Sequence, residues 1–186
     1  MSISHYLAAI LAELTENQRE LHDDQCVLLV QDIATARHVF VAGAGRSGLA
    51  VGAFANRLAH LGKSTSRVGD VTSPHTRPGD LLLVASGSGE TPGLLAIARR
   101  ARDAHTRIGL VTLDDQSSIA LMSDVVVVLP GASPKLRSQS GRTSIQPMGS
   151  AFEQMSGLLY DAMVLELMAR LGETSESMFA RHADLE

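Results

Sequence analysis

The chain has one cysteine, no tryptophan, two tyrosines and four phenylalanines among its 186 residues. A lone cysteine, Cys26, can form neither an internal disulfide nor a cysteine-cluster zinc site. Its place in an apolar helical stretch makes it a small core residue. No apolar run approaches the ~20 residues that span a bilayer. Met1-Ser2-Ile3-Ser4-His5-Tyr6 lacks the basic-then-apolar pattern of a secretion leader. Positive charge is in deficit: 16 Lys and Arg face 20 Asp and Glu, a net −4. That balance argues against a nucleic-acid or membrane-surface binder, so an anionic ligand would be held by local dipoles and one or two arginines. No His, Cys and carboxylate cluster has metal-ligand spacing, so neither metal nor cofactor is expected, and the expected setting is the cytoplasm.

What the chain does have is aliphatic. Hydrophobic residues make up 45% and aromatics 3%, so the core is built from Ala, Val, Leu, Ile and Met, as in helix–sheet layers. The length fits a single domain over 1–186. Its parts are an N-terminal helical segment (1–36), a sheet core (37–130), a polar connection (131–149) and a C-terminal helix with a tail (150–186).

The stretch Leu81-Leu82-Leu83-Val84-Ala85-Ser86-Gly87-Ser88-Gly89-Glu90-Thr91-Pro92 carries the strongest signal. Its apolar run reads as a strand buried on both faces, and Pro92 suits the first turn of a helix. Between them lie glycines and hydroxyls. Such a turn leaves several N–H groups aimed at one point, backed by a helix dipole, and reads as a phosphate cradle.

Around it the chain alternates. Residues 3–34 have helical spacing, with a bend expected at Asp23-Asp24. Val39 to Ala42 is a first strand, leading through Gly43-Ala44-Gly45-Arg46-Ser47-Gly48 to a helix that ends at Gly62. Further strands are expected at 64–68, 107–112 and 124–129, with helices over 94–104 and 117–122. Five apolar strands alternating with helices imply a three-layer α/β fold with a parallel sheet of order 2-1-3-4-5. In that order the crevice lies outside the carboxyl ends of strands one and three, where the loops 43–48 and 86–91 would face each other.

Other readings compete. Gly43, Gly45 and Gly48 also spell a dinucleotide fingerprint, with Asp70 near the position of a ribose-binding acid. Glu153, at the start of the last long helix, is either a capping-box partner of Ser150 or a proton acceptor beside the crevice. His60 and His182 are each more often surface or core histidines than acid–base groups.

The loops Ala42 to Gly48 and Ser86 to Thr91 resemble those of the SIS, or sugar isomerase, domain. Ser144-Ile145-Gln146-Pro147-Met148-Gly149-Ser150 with Phe152-Glu153-Gln154 resembles one branch, the 6-phospho-3-hexuloisomerases. So does the ending Met178-Phe179-x-Arg181-His182-Ala183-Asp184-Leu185-Glu186. The resemblance implies isomerisation of D-arabino-hex-3-ulose 6-phosphate to fructose 6-phosphate, the second step of formaldehyde fixation by the ribulose monophosphate route. It further implies a homotetramer with active sites near subunit boundaries, acting after a 3-hexulose-6-phosphate synthase. On this resemblance the base is Glu153. The phosphate falls to Ser86, Ser88 and Thr91 with the N–H groups of Gly87, Ser88, Gly89, Glu90 and Thr91. Arg46 and Ser47 would hold sugar hydroxyls or the oxyanion, with His60 a further contact and His182 acting in a neighbouring crevice. A sugar-phosphate sensor and a metal-assisted aldose–ketose isomerase remain the rivals.

Overall fold

A computed structural model describes residues 2–132 and 143–185. The basic stretch Lys135-Leu136-Arg137, the middle of the 131–149 connection, and Glu186 lie outside the described residues.

Five parallel strands form one sheet: β1 (Val39–Gly43), β2 (Thr65–Arg67), β3 (Leu81–Ala85), β4 (Arg107–Thr112) and β5 (Val125–Val128). Their order is β2-β1-β3-β4-β5. Register places Val39 beside Thr65 on one side and Leu81 on the other. The helices are α1 (Ile3–Arg19), α2 (Asp23–Thr35), α3 (Gly45–His60), α4 (Pro92–Asp103), α5 (Ser150–Leu171) and α6 (Ser175–Phe179).

Apart from the edge strand β2, the strands are apolar at nearly every position because both faces are covered. Val39, Val41, Leu81, Leu83 and Ala85 point into a core shared with α2, α3 and α5. Their neighbours Phe40, Ala42, Leu82 and Val84 point the other way, into a second core under α4. The direction in which successive strands are added across the sheet reverses between β1 and β3. Right-handed crossovers on either side of that reversal put α3 and α4 on opposite faces, and a crevice opens between the loops that enter them.

Close approach of backbone fixes the first of those loops. A Cβ on Gly43 would lie 2.8 Å from the Gly48 Cα, and one on Gly48 would lie 2.5 Å from the Gly43 oxygen. The glycine pair therefore lets α3 pack against its own strand, which accounts for the fingerprint spacing without a dinucleotide.

Some boundaries differ from the sequence reading. The N-terminal helices break over 20–22 rather than at Asp23-Asp24, because those two acids open α2, where the helix dipole favours them. The short helix at 117–122 is a single 3-10 turn over Ala120–Met122. The tail contains α6, closed by a capping box in which Thr174 and Ser177 exchange bonds. Cys26 is buried as expected, and burial with Asp23 and Asp24 nearby pushes its thiol up to about 11.

α1 is packed less completely than the other long helices. Of its apolar stripe only Leu14 is buried, while Ile3, Leu7 and Leu11 remain exposed. α5 also leaves Leu158 and Leu165 exposed.

Candidate active site

Three helices begin at one cavity of about 350 Å³, the small end of the range for ligand sites. α3 contributes Ala44, Gly45, Arg46 and Ser47; the β3–α4 turn contributes Ser86, Gly87, Ser88 and Thr91; and the start of α5 contributes Gly149, Phe152 and Glu153. Each helix N-terminus brings unpaired N–H groups and the positive end of its dipole. The sum favours an anion.

The β3–α4 turn is built to keep donors free. Ser86 is almost fully buried, and its Oγ accepts from the Gly89 N–H at 3.2 Å. Ser88 Oγ accepts from the Glu90 N–H at 3.3 Å. A hydroxyl that accepts keeps its own proton to donate. Thr91 is the N-cap of α4 yet makes no capping bond with its side chain. The N–H groups of Gly87, Ser88 and Thr91 find no acceptor among the described residues. Gly89 has φ +58°, and a Cβ there would lie 1.9 Å from Ser117 Oγ. Only glycine closes this turn.

Glu153 faces the cradle across the cavity. The N-cap of α5 is Gly149, with no side-chain capping bond, so Glu153 is not the capping-box partner of Ser150. Its carboxylate instead accepts from Arg46 Nε at 2.5 Å. The carboxylate side chain is mostly buried, at 17% exposure, and the arginine is open to solvent. Phe152 lies against Gly87, where an added Cβ would meet the ring at 3.2 Å, so α5 is seated directly on the cradle.

The structure thus brings Arg46, Ser47, Ser86, Gly87, Ser88, Thr91 and Glu153 to one cavity. Gly89 shapes the turn from beneath it. Glu90 turns away: its carboxylate accepts from the Ser118 N–H and braces the segment before the 3-10 turn. Asp70 lies beside Arg67 and α3, outside the cavity wall. His60 and His182 are also outside it. They stack on each other, with ring centroids 5.3 Å apart, near the end of α3. Arg181 fastens the tail there, donating to the His60 carbonyl at 2.8 Å and pairing with Glu173. Ala85, Leu94, Leu113 and Met148 also line the cavity. Leu113 carried no sequence signal, being one more apolar residue at a strand end. Among the described residues no group of three or more His, Cys, Asp or Glu is placed to hold a metal ion.

A doubly wound sheet whose switch point gathers free amide and hydroxyl donors opposite a carboxylate defines a class: α/β proteins that take small phosphorylated ligands. The SIS domain model matches residues 32–156, and the chain belongs to that family. A 3-hexulose-6-phosphate isomerase of Bacillus subtilis is 41% identical over 186 residues, covering 100% of both chains. Another of that name, from Mycobacterium gastri, is 36% identical and covers 99% of this chain and 92% of its own. A Methanococcus jannaschii crystal structure, inferred to be a 3-hexulose-6-phosphate isomerase, superposes with a TM-score of 0.83 at 27% identity. It covers 98% of this chain and 99% of its own. Among the described residues no helix is long and apolar enough to cross a membrane.

Proposed function

We propose that the chain is a 3-hexulose-6-phosphate isomerase, converting D-arabino-hex-3-ulose 6-phosphate to fructose 6-phosphate. The observation that carries this reading is Glu153, held by Arg46 across one cavity from a turn lined with free donors. Relatives of that name along the full chain support it.

In this reading the substrate phosphate lies against the free N–H groups of Gly87, Ser88 and Thr91 and the hydroxyls of Ser86, Ser88 and Thr91. Anchoring one end of the sugar presents C2 and C3 to Glu153. The carboxylate takes the C2 proton, the C3 carbonyl oxygen gains negative charge, and a cis-enediolate forms. Arg46 and Ser47 stabilise that charge. The O2 proton passes to O3, and Glu153 returns the proton it took from C2 to C3, which gives the C2 ketone and a C3 hydroxyl. One carboxylate thus serves both half-reactions.

The family resemblance extends the reading to a cytoplasmic homotetramer that receives its substrate from a synthase. Exposed Ile3, Leu7 and Leu11 on α1, and Leu158 and Leu165 on α5, are the faces a second copy would cover. His182 would then serve a neighbouring cavity; deleting residues 181–186 should lower turnover without unfolding the chain, and unchanged turnover would remove His182 from the mechanism.

The test is isomerase activity of wild type and Glu153→Gln, with fructose 6-phosphate formation followed by a coupled dehydrogenase. The variant should bind fructose 6-phosphate and lose about 10²–10⁴ in kcat. A sensor would bind the sugar phosphate in both forms and turn over in neither.

A further inference from the structure

The described ends of the 131–149 connection both come close to one turn of α1. A methyl group built on Gly131 would lie 3.8 Å from the Asn17 side-chain nitrogen. At the other end Gln146 Nε2 donates to Glu13 Oε2 at 3.3 Å. Glu13 and Asn17 are four residues apart and share a helix face. Both are partly buried, whereas most of the apolar side of α1 is not.

Gln146 leads straight into the cavity wall. Met148 and Gly149 line it, and Ser150 opens the helix that carries Glu153. Met148 has φ +57°, a conformation that a non-glycine residue holds only when its surroundings impose it. The backbone then turns directly into α5, with Ser150 N–H donating to the Pro147 carbonyl at 3.3 Å and Glu153 N–H to the Gly149 carbonyl at 3.0 Å. A shift at Gln146 is therefore passed within one turn to the carboxylate. The phosphate cradle belongs to β3 and α4 and meets this linkage where Phe152 packs against Gly87.

We propose that Glu13 is a positioning residue: by accepting from Gln146 it fixes residues 143–149 and so sets the placement of Glu153 against the sugar. α1 is then a strut for the site rather than an appendage of the core. The proposal rests on the isomerase reading for its kinetic part, and on the loop alone for its structural part.

The test uses the full chain and compares Glu13→Ala, Glu13→Gln, Gln146→Ala and the Glu13→Ala/Gln146→Ala double variant. Amide hydrogen exchange at Gln146, Ser150 and Glu153 should quicken in Glu13→Ala, with the sheet amides unchanged, and return to wild type in Glu13→Gln, which still offers an acceptor. In turnover, kcat should fall on the order of 10-fold or more from misplacement of the base, with KM little changed because the cradle is intact. The double variant should be no worse than the worse single one. Wild-type exchange at those three amides in Glu13→Ala overturns the proposal, whatever the activity. Strictly additive losses, or slower turnover that Glu13→Gln fails to restore, overturn it too. A wild type with no isomerase activity would refute the proposed reaction, while the exchange data would still judge the strut.

Discussion

Gly89→Ala is a demanding test of the cradle, because two separate costs can be read from the structure. The backbone at residue 89 has φ +58°, where an L side chain costs ~1–2 kcal/mol. The new methyl group would also lie 1.9 Å from Ser117 Oγ and 2.4 Å from Ser117 Cβ, so either the turn or the 114–120 segment must move. Ser117 is nearly fully buried and bonded to the Asp114 carbonyl, which leaves it little room. Overpacking of that kind costs ~1–3 kcal/mol. Together the loss is ~2–5 kcal/mol, or a fall in Tm of roughly 4–20 °C for a chain of this size. If the turn is what moves, the aim of its free donors changes. Losing one hydrogen bond to a charged phosphate is worth ~1.5–3 kcal/mol, so the Kd for fructose 6-phosphate should rise about 10- to 100-fold. Differential scanning fluorimetry and a ligand titration measure both. Ser117→Gly in the same chain removes the obstacle, so the double variant should be less damaged than the two single losses added. A Gly89→Ala protein with wild-type Tm and affinity would refute the conformation assigned to this turn.

Arg46→Met should cut kcat/KM at least tenfold. It should shift stability by less than about 1 kcal/mol, because the arginine of the Arg46–Glu153 pair is solvent-exposed; a large Tm loss would contradict this. Tyr160→Phe should leave Tm unchanged or raise it, since the Tyr160 hydroxyl is buried with no partner among the described residues and burial raises its pKa. A clear Tm decrease would reveal a bond to that hydroxyl. His38 is buried at the start of β1, bonded to Ser64 and Ser66, and burial lowers its pKa from 6.5. The folded chain therefore resists protonation more than the unfolded one. Stability should be full above about pH 6.5 and fall as pH drops through that value toward the folded pKa. Urea midpoints at pH 7.5 and 5.5 measure this, and a His38→Asn variant with the same pH dependence would clear His38 of it.

Most of the sheet was legible because β1, β3 and β5 are covered by helices and appear as apolar runs; 107–112 was read to the residue. β2 was harder. It sits at the sheet edge and keeps only Thr65, Ser66 and Arg67 in the ladder, with little apolar signal at either end. α6 escaped because its signal is a capping box with serine in place of glutamate, in a polar tail with no apolar stripe. In the site, the hydroxyls and glycines of the cradle announced themselves by density, and Arg46 and Ser47 by their loop. Glu90 belonged to the same dense stretch, yet its side chain turns outward to Ser118, a direction that spacing cannot encode. Gln146 was visible only as part of a family-like segment, because its partner Glu13 lies 133 residues away on a helix whose packing no local pattern reveals.

In the proposed reaction the anchor and the reacting group reach the cavity from opposite faces of the sheet, Thr91 opening α4 and Glu153 riding on α5. Little side-chain chemistry is shared between them beyond the seat of Phe152 on Gly87. Evolution can therefore rewrite one without disturbing the other: exchanging the carboxylate would yield a receptor for the same phosphate, or a different reaction on it. A scaffold divided in this way separates what is recognised from what is done to it.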